Sequence, residues 1–181
     1  MGYSISLETE RLLIRDFRME DAEAMLAMHS DPEVQKYTGE PVVTSIEEMK
    51  ERIQDRLKAY KELGYGRWTL IEKATGTVIG WAGLLYLPEF DQIDLGYRLR
   101  QEFWGKGYAT ESSHVILKYG FEELGMEEII AIAYEANVGS IKVMQKVGMK
   151  FYKKAIYDEN DTEEAIWYRL TQDQYRAMQS N

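Results

Sequence analysis

A chain of 181 residues, 45% hydrophobic and 29% charged, is long enough for one globular domain with a full core. Its net charge of −9 sets it against general nucleic-acid binding, because a phosphate backbone is repelled overall, and suits a cationic substrate such as an amine. With no cysteine, disulfides, thiolate zinc sites and cysteine nucleophiles are excluded.

Arg11–Phe17, rich in Leu and Ile, reads as the first strand. Glu20 and Asp21 open a helical segment running to about Ser30, where negative charge suits the helix start. Asp31-Pro32-Glu33 then punctuates the chain, with Pro suited to the first turn of a following helix. Ile46, Met49, Ile53, Leu57 and Tyr60 recur at helical steps and predict a surface helix with one buried stripe. Ser45 and Glu48 have the capping-box spacing, and Gly64 stops this helix. Arg67–Glu72 and Val78–Leu87 read as strands joined by the hairpin turn Ala74-Thr75-Gly76-Thr77. In a third strand, Ile93, Leu95, Tyr97 and Leu99 alternate with Asp94, Gly96, Arg98 and Arg100, giving an apolar face and a polar one. A helix from about Tyr108 to Leu124 is closed by Gly125, and its small residues Ala109, Ser112, Ser113 and Gly120 suit close packing on a sheet. Glu128–Tyr134 is an apolar strand, and Val138–Val147 a short helix closed by Gly148. Lys150–Tyr157 and Ala165–Leu170 form a closing strand pair joined by the polar loop Asp158–Thr162.

No repeat or linker marks a second domain, so residues 1–181 read as one. Strands before and after the main helix imply a crossover and a parallel pair flanking it. The two histidines, His29 and His114, belong to no metal-ligand spacing, so no metal is expected. No apolar run approaches the ~20 residues that span a bilayer, and the N-terminal stretch lacks the regions of a signal peptide. A cytoplasmic protein with no membrane partner is expected.

The stretch Trp104-Gly105-Lys106-Gly107-Tyr108-Ala109 joins the third strand to the long helix. Two glycines just ahead of a helix allow a tight turn that exposes backbone amides. Such N–H groups, with the helix dipole, suit phosphate. The stretch is no P-loop, because Gly107 stands where Ser or Thr would hold magnesium. The dinucleotide fingerprint also fails, for lack of the ribose-binding acid at its usual distance.

The order of elements and this glycine loop resemble the GNAT N-acetyltransferase family, whose signature is Arg/Gln-x-x-Gly-x-Gly/Ala. The first position departs, with Trp104 in place of Arg or Gln, a departure typical of the RimJ/RimL-like branch, which acetylates the N-termini of ribosomal proteins. Thr9-Glu10-Arg11-Leu12, Asp31-Pro32-Glu33-Val34, Asn137-Val138-Gly139-Ser140 and Lys146-Val147-Gly148-Met149 resemble the same branch. The resemblance implies a mixed α/β fold: a mostly antiparallel sheet with a parallel pair around a CoA-binding loop. It implies acetyl-CoA as co-substrate and a primary amine as acceptor, either a protein N-terminal α-amine or a small molecule such as a polyamine, antibiotic or amino acid. A CoA-binding module without catalysis is the alternative from another class. A monomer or a sheet-edge homodimer is expected.

The resemblance also assigns roles. Asp94 is the expected base, on the strand before the loop. Many family members donate a proton to the leaving thiolate from a Tyr seven residues after the motif Asn. That position is Met144 here, which leaves Ser140 as the nearest substitute and Tyr134 behind it. Asn137 would bond CoA, while a plain N-cap is its bland role. Leu99 and Arg100 would offer main-chain groups to the pantetheine amides, and Trp104, Gly105, Lys106, Gly107, Tyr108 and Ala109 would hold the pyrophosphate. Tyr37, Trp68, Trp81, Tyr86 and Tyr97 are candidates for an acceptor pocket, although most aromatics at strand spacing are core.

Overall fold

In the computed structural model, which describes residues 5–157 and 161–180, eight strands hydrogen-bond into one sheet. They are β1 (Ser6–Glu8), β2 (Leu12–Arg15), β3 (Arg67–Glu72), β4 (Thr77–Leu87), β5 (Gln92–Leu99), β6 (Glu128–Tyr134), β7 (Lys150–Ala155) and β8 (Ala165–Thr171). The spatial order is β1-β2-β3-β4-β5-β6-β8-β7. Every neighbouring pair is antiparallel except β5 and β6. The mixed, mostly antiparallel sheet with a parallel pair is thus the fold observed. Asp158, Glu159 and Asn160 of the expected loop lie outside the described residues.

The helices are α1 (Ala22–His29), α2 (Pro32–Gln35), α3 (Ile46–Leu63), α4 (Tyr108–Lys118), α5 (Val138–Lys146) and α6 (Gln172–Gln179). In α3 the stripe of Met49, Ile53 and Tyr60 is buried, and the Ser45 hydroxyl accepts from the Glu48 N–H at 3.3 Å. Only half of the capping box forms, since the Glu48 carboxylate accepts from Arg52 Nε at 3.1 Å and not from the Ser45 N–H. The long helix expected to Leu124 leaves α geometry after Lys118 and continues as a π turn, Tyr119–Glu123. Two elements are additions to the sequence reading. Strand β1 is three residues long, too short for a pattern. Helix α6 starts straight off β8, where Thr171 and Gln174 make a reciprocal capping box. Thr-x-x-Gln is a legible helix-start signal.

Strand alternation sends β5 side chains to two covered faces. Leu95 and Tyr97 share one face with Leu84, Ala82 and Trp68 across the ladder. Helix α4 and the π turn pack on that side, with Trp68 edge-on to Tyr119 at 5.8 Å. Asp94, Gly96 and Arg98 share the opposite face with Leu85, Gly83, Trp81 and Arg67. The sequence pattern marks this face as polar, yet it is not solvated. Helices α1 and α3 lie over it, and Asp94 and Arg67 are buried. A second, smaller apolar cluster of Leu87, Ile130, Ala165 and Trp167, with Phe90 packed against it, ties the β4–β5 hairpin to β6 and β8.

The start of α1 is anchored to the sheet by Asp21, which is 3% exposed. Its carboxylate accepts from both Arg15 Nη atoms at 2.7 Å, from the Arg18 N–H at 2.9 Å and from the Thr69 hydroxyl at 2.9 Å. Burial alone would raise its pKa; the bonds from Arg15, Arg18 and Thr69 outweigh that, and the net direction is down. Asp21→Asn is expected to cost ~3–5 kcal/mol at pH 7, as for a broken buried pair. A carboxylate with a depressed folded pKa stabilises above its unfolded value of about 3.9 and loses that contribution as pH falls through the folded one. Urea titrations of both proteins should therefore converge below about pH 4; a gap constant from pH 7 to pH 3 would contradict the assignment.

Candidate active site

The parallel pair β5–β6 is joined at a single register pair, Asp94↔Ile130. Beyond it the two strands part, although each keeps its antiparallel partner on the outer side. Arg100 donates its N–H to Ile79 O at 2.9 Å, so the alternation of an antiparallel ladder turns the N–H and C=O of Tyr97 and Leu99 away from β4, into the gap. The Leu99 carbonyl accepts from the Trp104 indole at 2.8 Å, which leaves the Leu99 N–H. Arg100 is committed at both main-chain groups, because its carbonyl accepts from the Phe103 N–H at 3.0 Å. Its N–H is therefore occupied, and of its main-chain groups expected to serve a ligand amide only the second lone pair of the carbonyl remains.

The glycine loop follows from the open end of this gap. Gly105 and Gly107 have φ of 71° and 85°, left-handed values that disfavour any residue with a Cβ. Gly107 is the N-cap of α4, and no side chain caps that end, so the first N–H groups of α4 have no intrahelical partner. The one acid in the first turn, Glu111, points elsewhere, accepting from the Thr9 hydroxyl, the Arg11 N–H and the Arg11 guanidinium. Arg11 braces the loop from outside: it donates to Lys106 O at 2.9 Å and lies 4.4 Å from the Tyr108 ring centroid. The sequence reading missed this role, although Arg11 lies in one of the stretches carrying the family resemblance. The Tyr108 side chain is buried, with its hydroxyl bonded to Glu72. Only its main chain faces the helix end.

Asp94 sits where β5 and β6 are still paired. Its Oδ2 accepts from Arg67 Nη2 in a buried ion pair, and Arg67 also donates to the carbonyls of Gly83 and Asp94. The guanidinium reaches Asp94 by crossing over Gly96, where a Cβ would stand 2.6 Å from Arg67 Nη2. Arg98, next on the same face, donates to Glu40 Oε2 at 3.2 Å and to His29 Nδ1 at 3.0 Å. Because arginine can only donate, Nδ1 of His29 is an acceptor and Nε2 carries the proton. Burial, then the Arg98 charge, lowers the His29 pKa to about 3, so the ring is neutral at pH 7. His29 is thus a buried histidine satisfied by Arg98. Burial alone would raise the Glu40 carboxyl, but Arg98 outweighs it and the net direction is down.

Across the gap, Asn137 caps α5 by accepting from the Ser140 N–H at 3.1 Å, which uses Oδ1 and leaves the side-chain NH2. The Tyr97 hydroxyl donates to Ser140 O at 3.5 Å, so this phenol bridges the gap; burial raises its pKa to about 12. Met144 is buried in the core, and Tyr134 gives its hydroxyl to Asp161 at 2.6 Å. The five candidate pocket aromatics do not converge. Trp81 lies beside Arg98 on the charged face, whereas Trp68 is fully buried on the opposite, α4 side. Trp68 thus sits in the core, with its indole N–H buried and without a hydrogen-bond partner. Tyr86 is exposed at the hairpin, donating to Asp91 at 2.8 Å, and Tyr37 is 36% exposed beside Lys36. Gly96→Ala is expected to displace the Arg67 guanidinium and cost ~1–3 kcal/mol, the usual range for overpacking. A urea midpoint equal to wild type would show that the guanidinium moves aside freely.

Residues 11–150 match the family described as an acetyltransferase (GNAT) domain. The uncharacterized N-acetyltransferase p20 of Bacillus licheniformis is 34% identical, over 83% of this chain and 88% of p20. The crystal structure of a GNAT-family acetyltransferase from Bacillus anthracis superposes with a TM-score of 0.81 at 28% identity, covering 93% of this chain and 99% of that one. The structure of RimL, a ribosomal L7/L12 alpha-N-protein acetyltransferase in complex with coenzyme A, shares the fold with a TM-score of 0.80 at 17% identity, covering 92% of this chain and 98% of RimL. With a parted parallel pair, a glycine-led helix end and a family match across most of its length, the chain belongs to the GNAT acetyltransferases and is an acyltransferase.

Proposed function

We propose that the protein transfers the acetyl group of acetyl-CoA to a primary amine by direct attack in a ternary complex, and that residues 1–181 act as one domain. The observation that carries this reading is the gap between β5 and β6, with Asp94 at its closed end and an uncapped helix N-terminus at its open end. The N–H groups at the start of α4, with Lys106 beside them, are the donors for the pyrophosphate. The Leu99 N–H and the Asn137 side-chain NH2 remain for the pantetheine arm or adenosine portion. When bound, acetyl-CoA supplies the thioester.

The remaining chemistry falls to side chains. Only the neutral amine can attack, and an alkyl ammonium has a pKa near ~10.4 against about 7.7–8.0 for an α-amine. Asp94 receives the amine proton as the new C–N bond forms, directly or through water. Arg67 fixes the position of that carboxylate. The Ser140 hydroxyl is the donor for the leaving thiolate, since the single O–H of Tyr97 is spent on the Ser140 carbonyl. A thiol has a pKa near ~8.5, well below that of an aliphatic hydroxyl, so Ser140 assists by hydrogen bonding and does not give up its proton outright. Holding amine and thioester in contact supplies much of the acceleration. No covalent enzyme intermediate is required.

Two substitutions separate donor binding from chemistry. Gly107→Val should abolish acetyl-CoA binding in titration calorimetry, because Gly107 has a φ of 85° at the helix end. A wild-type Kd in a folded variant would remove the loop from the site. Asp94→Asn should lower kcat by about 10²–10⁴, the range for general-base loss, with acetyl-CoA affinity retained; full activity near neutral pH would remove Asp94 as the base.

A further inference from the structure

The charged face beside Asp94 has one cation too many. Three guanidinium carbons, of Arg56, Arg67 and Arg98, lie 5.3, 5.2 and 5.3 Å from the Trp81 ring centroid. Arg67 is paired with Asp94, and Arg98 with Glu40, which it shares with Arg52. Arg56, reaching in from α3, makes no hydrogen bond or ion pair among the described residues; its guanidinium stacks on Trp81 and lies 5.5 Å from the Phe17 ring centroid. Ring faces attract a cation, but they satisfy none of its five N–H donors. Burial, then the charge of Arg67, lowers its pKa to about 10, so it remains a cation at pH 7.

A second, independent observation points the same way. The Trp81 indole N–H is buried and has no hydrogen-bond partner. Buried donors are nearly always satisfied, so an unpartnered one calls for an explanation; the Trp68 indole N–H is also unpartnered, but only that of Trp81 lies beside an unpaired cation. Two unmet donor groups at one ring, the Trp81 N–H and the Arg56 cation stacked against it, suit an acceptor bearing negative charge. The planar fork of a guanidinium matches a carboxylate in two-point contact.

We propose that Arg56 and the Trp81 indole N–H form an anion subsite beside Asp94, so that the preferred acceptor is a primary amine carrying a carboxylate in the same molecule. The reading rests on the amine acetyltransferase assignment and narrows its substrate class. Asp94 takes the amine end and Arg56 the carboxylate end, on the sheet face that Asp94 and Trp81 share. The carboxylate has two sources, the α-carboxylate of a free amino acid or the acidic side chain of a peptide's second residue.

The test pairs each acid with its amide. Free α-amino acids are compared with their amides, and Ser-Asp-led peptides with Ser-Asn-led ones, by thiol release from acetyl-CoA. In wild type the acid should exceed its amide in kcat/KM by tenfold or more in one of the two series, mainly through KM. Arg56→Met should collapse that ratio toward one, and Arg56→Lys should restore part of it. Near-UV circular dichroism confirms that both variants are folded. The same acids and amides are titrated into the CoA-bound protein, following tryptophan fluorescence. Acid-selective binding that Arg56→Met abolishes, without turnover, would support the subsite while sinking the catalytic reading. Acids and amides that bind and react equally, or a ratio unchanged in Arg56→Met, would overturn the subsite and leave the acetyltransferase intact.

Discussion

The parting of β5 from β6 is the constraint on which the rest depends. A sheet ordinarily pairs every backbone N–H and C=O, and each bond forgone costs on the order of 0.5–1.5 kcal/mol. Here the ladder stops after Asp94↔Ile130, and the inner edge of β5 is left facing a gap. The gap is held from both ends. Ile130, at its closed end, belongs to an apolar cluster with Leu87 and Trp167, while the outer neighbours β4 and β8 keep each strand straight through continuous ladders. The unpaired edge then has the hydrogen-bonding character of a missing strand, which is what an extended chain of amides such as pantetheine would replace.

The open end owes its form to backbone conformation more than to side chains. Gly105 and Gly107 both take left-handed φ, and the second leaves α4 uncapped. An uncapped helix end normally draws in an acid or a hydroxyl. The nearest acid is held away by Thr9 and Arg11, so the positive end of the dipole stays available. Trp104, at the position where the family has Arg or Gln, spends its indole N–H on the Leu99 carbonyl and so fastens the loop to the strand that precedes it. The departure from the signature thus has a structural use.

The charged face shows a different economy. Burying guanidinium and carboxylate groups is costly unless each finds a partner, and Arg67, Asp94, Arg98 and Glu40 do so within two linked pairs. Gly96 makes one of these possible, since only the absence of a Cβ lets Arg67 lie across the strand. Arg56 and the Trp81 N–H are the exceptions, and they sit together. Unmet donors cost stability, and their place beside Asp94 is where a ligand would repay it.

Most of the architecture was legible in the residues alone. Helix α3 announced itself through Met49, Ile53 and Tyr60, the hairpin through Ala74–Thr77, and the loop through two glycines ahead of a helix, because periodicity and turn chemistry act over a few neighbouring residues. The same local signals, in order, carried the family resemblance. What the tertiary structure decided is everything that depends on facing. The alternation of β5 marked Asp94, Gly96 and Arg98 as one side, but only the placement of α1 and α3 made that side buried and charged. Trp68 and Trp81 look alike in the sequence and end on opposite faces of the sheet. The Arg67–Asp94 pair joins residues 27 positions apart and the Arg98–His29 contact residues 69 apart. Contacts at such separations leave no local pattern, since they exist only once the strands have chosen their neighbours and their register.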